Sequence, residues 1–364
     1  MAKQRDPVLD SMRGIGIVLM VLGHSGFAGT DFIYLFHMAL FFMLSGWFFS
    51  LRGGLGRFVK RKVLTLWLPF VAANTAFTVL NNLFLRLNIL TTDERILAIP
   101  GNVVTTPTTL KDVIGRTVHW CVFDGGTQLG GAMWFVQALF QISILYAVLD
   151  VLLKKWLHDI DTLLPQGVIS LVLLSVGWHC SRAGWNVWGL GIAASCYCLF
   201  YLGTVLRRFA RADVKPLHRA ALAAGAFVLL LILGQFGSVG LAGNGYTSRL
   251  FLLAASLAGW VLVREAACLA AALPKFSAAL AYLGRATMPI VILHFLSFKL
   301  VTWLGLLATG GEGYLLAAFP TYFTGGAWWL AYTAAGLALP LAANAAYQQV
   351  RKAFPLGGRW PKAG

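Results

Sequence analysis

The sequence predicts an all-α, polytopic membrane helix bundle of about ten transmembrane helices, with both termini cytoplasmic. Three observations predict it. The 364 residues are 59% hydrophobic and only 12% charged, with a mean hydropathy of +0.75, whereas soluble domains carry roughly 25% charged residues. The apolar residues fall in runs of about 20, the length that crosses a hydrocarbon core of about 30 Å as a helix. Basic residues gather in alternate gaps between these runs, as the positive-inside rule requires. The runs are continuously apolar rather than alternating, which argues for helices against barrel strands.

The runs lie at residues 12–29, 32–51, 63–85, 132–153, 163–181, 185–206, 220–236, 247–263, 287–307 and 327–350. With the N-terminus inside, Lys and Arg divide 21 to 6 between inner and outer segments, and Arg13 and Lys299 fall within runs. An odd number of spans would break that alternation. The start of the chain, MAKQRDPVLDSMRG, shows no small-residue cleavage site after a short apolar core, so the first run is expected to remain in the membrane. The whole chain, residues 1–364, reads as a single membrane domain whose longest polar stretch is an outer loop spanning residues 86–131. Loops of this length in compact proteins are usually functional, and its middle is expected to form an amphipathic or re-entrant segment.

The net charge of +16 and pI near 10.0 would suggest nucleic acid in a soluble protein. Here the basic residues sit in short gaps with no aromatic-interleaved basic patch, so nucleic acid is excluded as a partner and a lipid bilayer is implied. The cysteines, Cys121, Cys180, Cys196, Cys198 and Cys268, match no zinc or redox spacing. No metal and no permanently bound cofactor is expected.

Chemistry points first to the N-terminal run, LDSMRGIGIVLMVLGHS, which carries Arg13 and His24. Ionisable groups within a span are costly and mark function. Eleven residues apart on a helix, the two differ by about 20° around the axis and by about 16 Å along it. One face thus holds a permanent cation near the cytoplasmic mouth and a base deeper in. That arrangement suits an extended anionic donor whose reactive end must reach the membrane interior. Asp10, three residues before Arg13, is placed to pair with it.

Arg-x10-His in this context resembles the signature of the acyltransferase-3 family of membrane acyltransferases. FHMALFFMLSGWFFS resembles that family's second helix, GGAMWFVQALF a later Trp-Phe element, and LGRATMPIVILHFLSFK its penultimate-helix pattern ending in His. These matches run in order from Leu9 to Lys299. Length and the lack of an appended domain are similar to the branch containing fucose 4-O-acetylases. The resemblance implies ten helices in a bacterial inner membrane, acetyl-CoA as donor, and O-acetylation of a lipid-linked or polymeric carbohydrate. It implies His24 as catalytic base and Arg13 as a donor-binding or site-organising residue. The family also tends to carry two arginines three apart at the start of its third helix. In RFVKRKVLTLWLPF, Lys62 takes the first position and Thr65 the second, with Arg57, Lys60 and Arg61 supplying further charge for donor phosphates.

Acyl transfer from a thioester to a hydroxyl needs a base, and histidine has the pKa for it. It also needs a donor for the developing oxyanion. Candidates are His37, Ser45, His294, Arg182 and the loop residues Arg116 and His119. Ser45, followed by Gly46, also reads as a close-packing site. Trp134 and Gln137 carry the aromatic face and amide that suit a sugar acceptor. A transporter or flippase of a sugar-lipid is the competing reading, favoured by ten helices and buried charge. Against it, the sequence has no internal repeat and no paired Gly/Pro-broken helices in matching halves. Consumption of acetyl-CoA in the presence of acceptor separates the two.

Overall fold

The computed structural model describes residues 6–157, 161–208 and 215–353. A helix forms in each of the ten apolar runs. In chain order the helices are α1 (Pro7–Gly23), α2 (Thr30–Tyr34), α3 (His37–Trp47), α4 (Leu55–Lys62), α5 (Leu68–Val79), α6 (Asn81–Arg86), α7 (Leu110–Cys121) and α8 (Trp134–Trp156). They continue as α9 (Leu163–Arg182), α10 (Leu190–Arg208), α11 (Pro216–Phe236), α12 (Arg249–Ala270), α13 (Pro274–Arg285), α14 (Thr287–Thr309) and α15 (Trp328–Ala353). Two-residue strands, β1 (Val239–Gly240) and β2 (Gly245–Tyr246), pair antiparallel between α11 and α12.

Among the described residues, eight segments are long and apolar enough to cross a membrane: Thr30–Trp47, Leu55–Val79, Gly131–Trp156, α9, Val187–Arg208, α11, α12 and α14. The other two expected spans fall outside that set. α1 has 17 residues, a length of about 26 Å. α15 is longer, at 26 residues, but less apolar, with Asn344, Tyr347, Gln348 and Gln349 in its C-terminal half.

Local chemistry sets the helix ends. Asp6 caps α1, its Oδ1 accepting the Val8 N–H at 2.9 Å, and Pro7 at the first helical position gives up no needed N–H. Pro216 starts α11 in the same way. Between α4 and α5 the backbone widens into a π-helical turn, Val63–Trp67. Pro69, just beyond it, has no N–H to return to the preceding turn, so a regular α-helix cannot run through this segment unaltered.

The chain divides into two compact units. One is built from the residues up to Met20, Gly29–Phe70 and Trp134–Arg285; the other from Val21–Ala28, Val71–Met133 and the residues from Ala286 onward.

In the first unit α10 packs on α3, α8 and α9, and α11 on α12. The α3–α10 approach is set by two glycines. A Cβ at Gly46 would overlap the carbonyl oxygen of Phe200, and a Cβ at Gly203 that of Met43. Ser45 therefore stands beside a backbone-to-backbone contact of the small-residue type that drives helix association in lipid. Gly203→Leu forces at least two turns apart and is expected to destabilise the unit by about 1–3 kcal/mol or more. Thermal unfolding in detergent measures it; an unchanged midpoint would show that α3 and α10 can separate at no cost. α1 meets α13 in the same manner, through Gly14 against the Leu280 carbonyl and Gly284 against the Asp10 carbonyl.

In the second unit α14 packs on α15, with Thr302 Oγ1 2.9 Å from the Tyr332 hydroxyl. The long loop at residues 86–131 is a built structure. Asn82 clamps Thr108, donating to its carbonyl at 2.7 Å and accepting its N–H at 2.8 Å. Buried Asn74 accepts the N–H and hydroxyl of Thr127, both at 2.9 Å. The amphipathic segment expected in this loop is α7. Trp120 is buried, while Leu110, Ile114, Val118 and Val122 form an exposed apolar stripe, the pattern of a helix lying at an apolar interface. A reciprocal cap starts α7: Asp112 accepts the Thr109 N–H at 2.8 Å and its hydroxyl at 2.7 Å. These bonds hold the Asp112 carboxyl below its ordinary range. A depressed carboxylate pKa stabilises the folded state above its unfolded value, so this cap is present at neutral pH and is lost as acid protonates it.

The same unit buries Lys299. Its ammonium donates to the carbonyls of Leu316, Ala317 and Ala318 at 3.1, 3.0 and 2.6 Å. Three donors meet three acceptors, which is complete satisfaction for this group. Asn102 holds the next residue, accepting the Phe319 N–H at 2.7 Å. Ile96, Ala317 and Ala318 form a small core there, flanked by Ile99, Tyr314 and Tyr322.

Candidate active site

α1 stops at Gly23, so His24 is the first residue past the helix rather than a residue within it. The cause is local. The N–H groups of His24 and Ser25 bond back only three residues, to Val21 and Leu22, both at 3.1 Å. Buried Ser25 also gives its hydroxyl to the Leu22 carbonyl at 2.7 Å. Gly26 then turns the chain at φ +80°, a conformation that costs glycine little.

His24 is half-buried. Its ring centroid lies 5.4 Å from that of His294 and 4.9 Å from Phe295, which it meets edge-on. His294, in α14, is fully buried. Its Nδ1 lies 2.9 and 3.1 Å from the carbonyls of Ile290 and Val291. Carbonyl oxygens only accept, so Nδ1 carries the proton and Nε2 is left with its lone pair. Among the described residues that Nε2 has no hydrogen-bond partner. Phe295 continues the aromatic shell to Phe319 at 4.5 Å, and Gly131 lies against both rings. The result is two imidazoles in one aromatic shell, with a buried, unpaired nitrogen on the deeper ring.

A basic cluster forms in the first unit. Arg13 lies 3.6 Å from Asp10, which also reaches Arg285 at 3.7 Å. The Arg13 guanidinium covers the Phe48 ring at 4.2 Å. Lys62 is within electrostatic range of both Arg61 and Arg13. On α4, Arg61 and Lys62 each stand 5.5 Å from the buried Phe58 ring, while Arg57, which folds over Gly53, and Lys60 are exposed. Residues 51–70 contain no carboxylate, and among the described residues no ion pair is made by a cation of α4.

The remaining sequence candidates have individual partners. His37 starts α3, its Nδ1 3.0 Å from the Ile33 carbonyl and its ring stacked on Tyr34 at 5.1 Å. Trp134 packs near Phe42 at 6.5 Å. Gln137 donates to the Trp188 carbonyl at 2.6 Å, and Arg182 lies over Trp178 at 5.8 Å. His119 pairs with Asp124 at 2.7 Å. A cavity of about 370 Å³ in the first unit is lined in part by Asp150, Lys154, Asp161, Arg207 and Arg208. Lys154 pairs there with Asp150 at 2.6 Å and Arg208 with Asp161, while Arg207 donates to the carbonyls of Trp47 and Phe49 and, among the described residues, leaves one positive charge without a carboxylate partner. His294 beside His24, the Phe295–Phe319 shell and the Asp10–Arg285 contact come from distant chain segments. The sequence signal for the first two was the motif LGRATMPIVILHFLSFK, which holds His294, Phe295 and Lys299 together.

A family model described as an acyltransferase domain matches residues 6–345. The chain belongs to the acyltransferase-3 family. It is thus a multi-pass membrane acyltransferase, with a lipid bilayer, an acyl donor and an acyl acceptor as its partners. The match runs from the residue capping α1 into α15 and so takes in the His24 shell and the Arg13 cluster alike. No curated protein and no solved structure matches this acyltransferase.

Proposed function

We propose that this acyltransferase moves an acetyl group from acetyl-CoA to a hydroxyl of a cell-surface or lipid-linked carbohydrate, in the manner of the fucose 4-O-acetylase branch, in a bacterial inner membrane. The observation that carries the reading is the half-buried His24 beside His294 inside an aromatic shell, in a chain of this family. His24 is the general base. The acceptor oxygen attacks the thioester carbonyl carbon while its proton passes to His24. The tetrahedral intermediate then expels CoA thiolate, which takes the proton from the imidazolium. A positioned base of this kind supplies roughly 10²–10⁴-fold. With its Nδ1–H committed to backbone carbonyls, His294 has no N–H left to give the oxyanion.

On this reading the donor enters from the cytoplasm, where Arg13, Arg57, Lys60, Arg61 and Lys62 hold the CoA phosphates. Arg suits bidentate phosphate contact and Lys gives a point charge. Asp10 orients Arg13 from one side. Membranes containing the protein should consume acetyl-CoA only when acceptor is present. Arg61→Ala with Lys62→Ala should raise the KM for acetyl-CoA about tenfold or more, from the loss of contacts worth about 1.5–3 kcal/mol each, and leave the acceptor KM nearly unchanged. If donor KM stays constant across neutralisation of all five residues, the donor is held elsewhere.

A further inference from the structure

The long loop of the second unit encloses a cavity of about 140 Å³. Phe77 and Trp120 supply aromatic wall, and Asn81, Arg116 and Gln128 supply polar groups. These polar groups have capacity to spare. Asn81 gives its Nδ2 to the Thr106 carbonyl at 3.0 Å, and among the described residues its Oδ1 accepts nothing. The side chains of Arg116 and Gln128 make no hydrogen bond to the protein there. The buried indole N–H of Trp120 has no acceptor either. The cavity thus combines free donors, free acceptors and aromatic surface. An apolar ligand would leave the polar groups unpaired. A ring bearing several hydroxyls, each both donor and acceptor, satisfies them and sets its C–H face against the aromatic walls.

The position of the cavity fits the chemistry. Leu129 is part of its wall. Two residues on, Gly131 lies against the rings of Phe295 and Phe319, leaving only 3.4 and 3.3 Å for a Cβ. Phe295 meets His24 edge-on at 4.9 Å. One short chain segment therefore joins the cavity wall to the shell of the candidate base.

We propose that this cavity is an acceptor subsite that binds one pyranose ring of the carbohydrate, with Gln128, Arg116 and Asn81 reading its hydroxyls. The proposal rests on the acyltransferase reading of His24 given above. Saturation-transfer NMR on the full-length protein in lipid nanodiscs tests it, with the methyl α-pyranosides of glucose, galactose, mannose and fucose as probes. At least one glycoside should receive saturation from wild-type protein and from His24→Ala. The signal should fall at least fivefold in Gln128→Ala and in Arg116→Ala. Arg116 is exposed, so its variant decides the matter if Gln128→Ala fails to fold. No binding to wild type, or equal binding to Arg116→Ala, overturns the subsite. Glycoside binding that depends on Arg116, in a protein that acylates no glycan, upholds the subsite and counts against the reaction proposed for His24. Mass spectra of the lipid-linked and polymeric glycan fractions then show in which of the two the acyl group first appears.

Discussion

His24→Gln is expected to leave the protein folded and to lower acyl transfer by about 10²–10⁴-fold, the contribution of a positioned general base. Glutamine keeps hydrogen-bonding capacity and much of the side-chain volume but has no useful basicity. The ring contacts of His24 with His294 and Phe295 at 5.4 and 4.9 Å would be lost, yet Ser25 and Gly26 still end α1, so the local backbone is retained. Donor binding should persist, because the basic cluster on α4 is untouched. Arg13→Lys should be less severe, since it keeps the charge and gives up the guanidinium that covers Phe48. Near-normal transfer by His24→Gln would make His24 a packing residue and leave His294 or His37 as the base.

Lys299→Met is expected to produce the largest loss of stability. Methionine fills the same volume, so packing is preserved, but three carbonyls lose their donor in a site that is 3% exposed. Each buried acceptor left unmade costs about 1–3 kcal/mol. Removing the ammonium also removes its own desolvation penalty, so the net cost should be about 3 kcal/mol or more. In detergent the unfolding midpoint should fall by about 5 °C or more. Activity should fall with it, because the segment pinned by Lys299 leads into Phe319, whose ring supports Phe295 beside His24. An unchanged midpoint would mean that those carbonyls find other donors, and that the buried ammonium is not what holds the segment.

Much of the fold was legible because a membrane leaves the chain few choices. A run of some 20 apolar residues must satisfy its own backbone bonds, so a helix is the only reading open to each run. The ends were less legible. The sequence placed His24 inside the first run, yet the back-bonding of Ser25 and the positive φ of Gly26 end the helix at Gly23. Hydropathy cannot register either effect. It also passes over the widened turn at Val63–Trp67.

At the site, pairs close in sequence could be read and pairs distant in sequence could not. Asp10 and Arg13, three residues apart on a helix, were expected to meet and do so at 3.6 Å. Arg285 joins the same carboxylate from 275 positions away at 3.7 Å, and nothing in local spacing points to it. Lys299 could be recognised as a charge within a run, but its three carbonyl partners belong to a polar stretch with no motif of its own. Trp120 and Arg116 were visible as residues of a long outer loop. Their enclosure around a cavity depends on the Asn74 and Asn82 clamps, which only the folded chain reveals.

The central claim, that the protein acylates a carbohydrate hydroxyl with His24 as base, is tested most directly by mass spectrometry of surface glycans. Three strains are compared: wild type, a deletion, and the deletion complemented with His24→Gln. Wild type should carry glycan species heavier by one acetyl group, released by mild alkali as an ester, and both other strains should lack them. Identical glycan spectra in wild type and deletion would contradict the account.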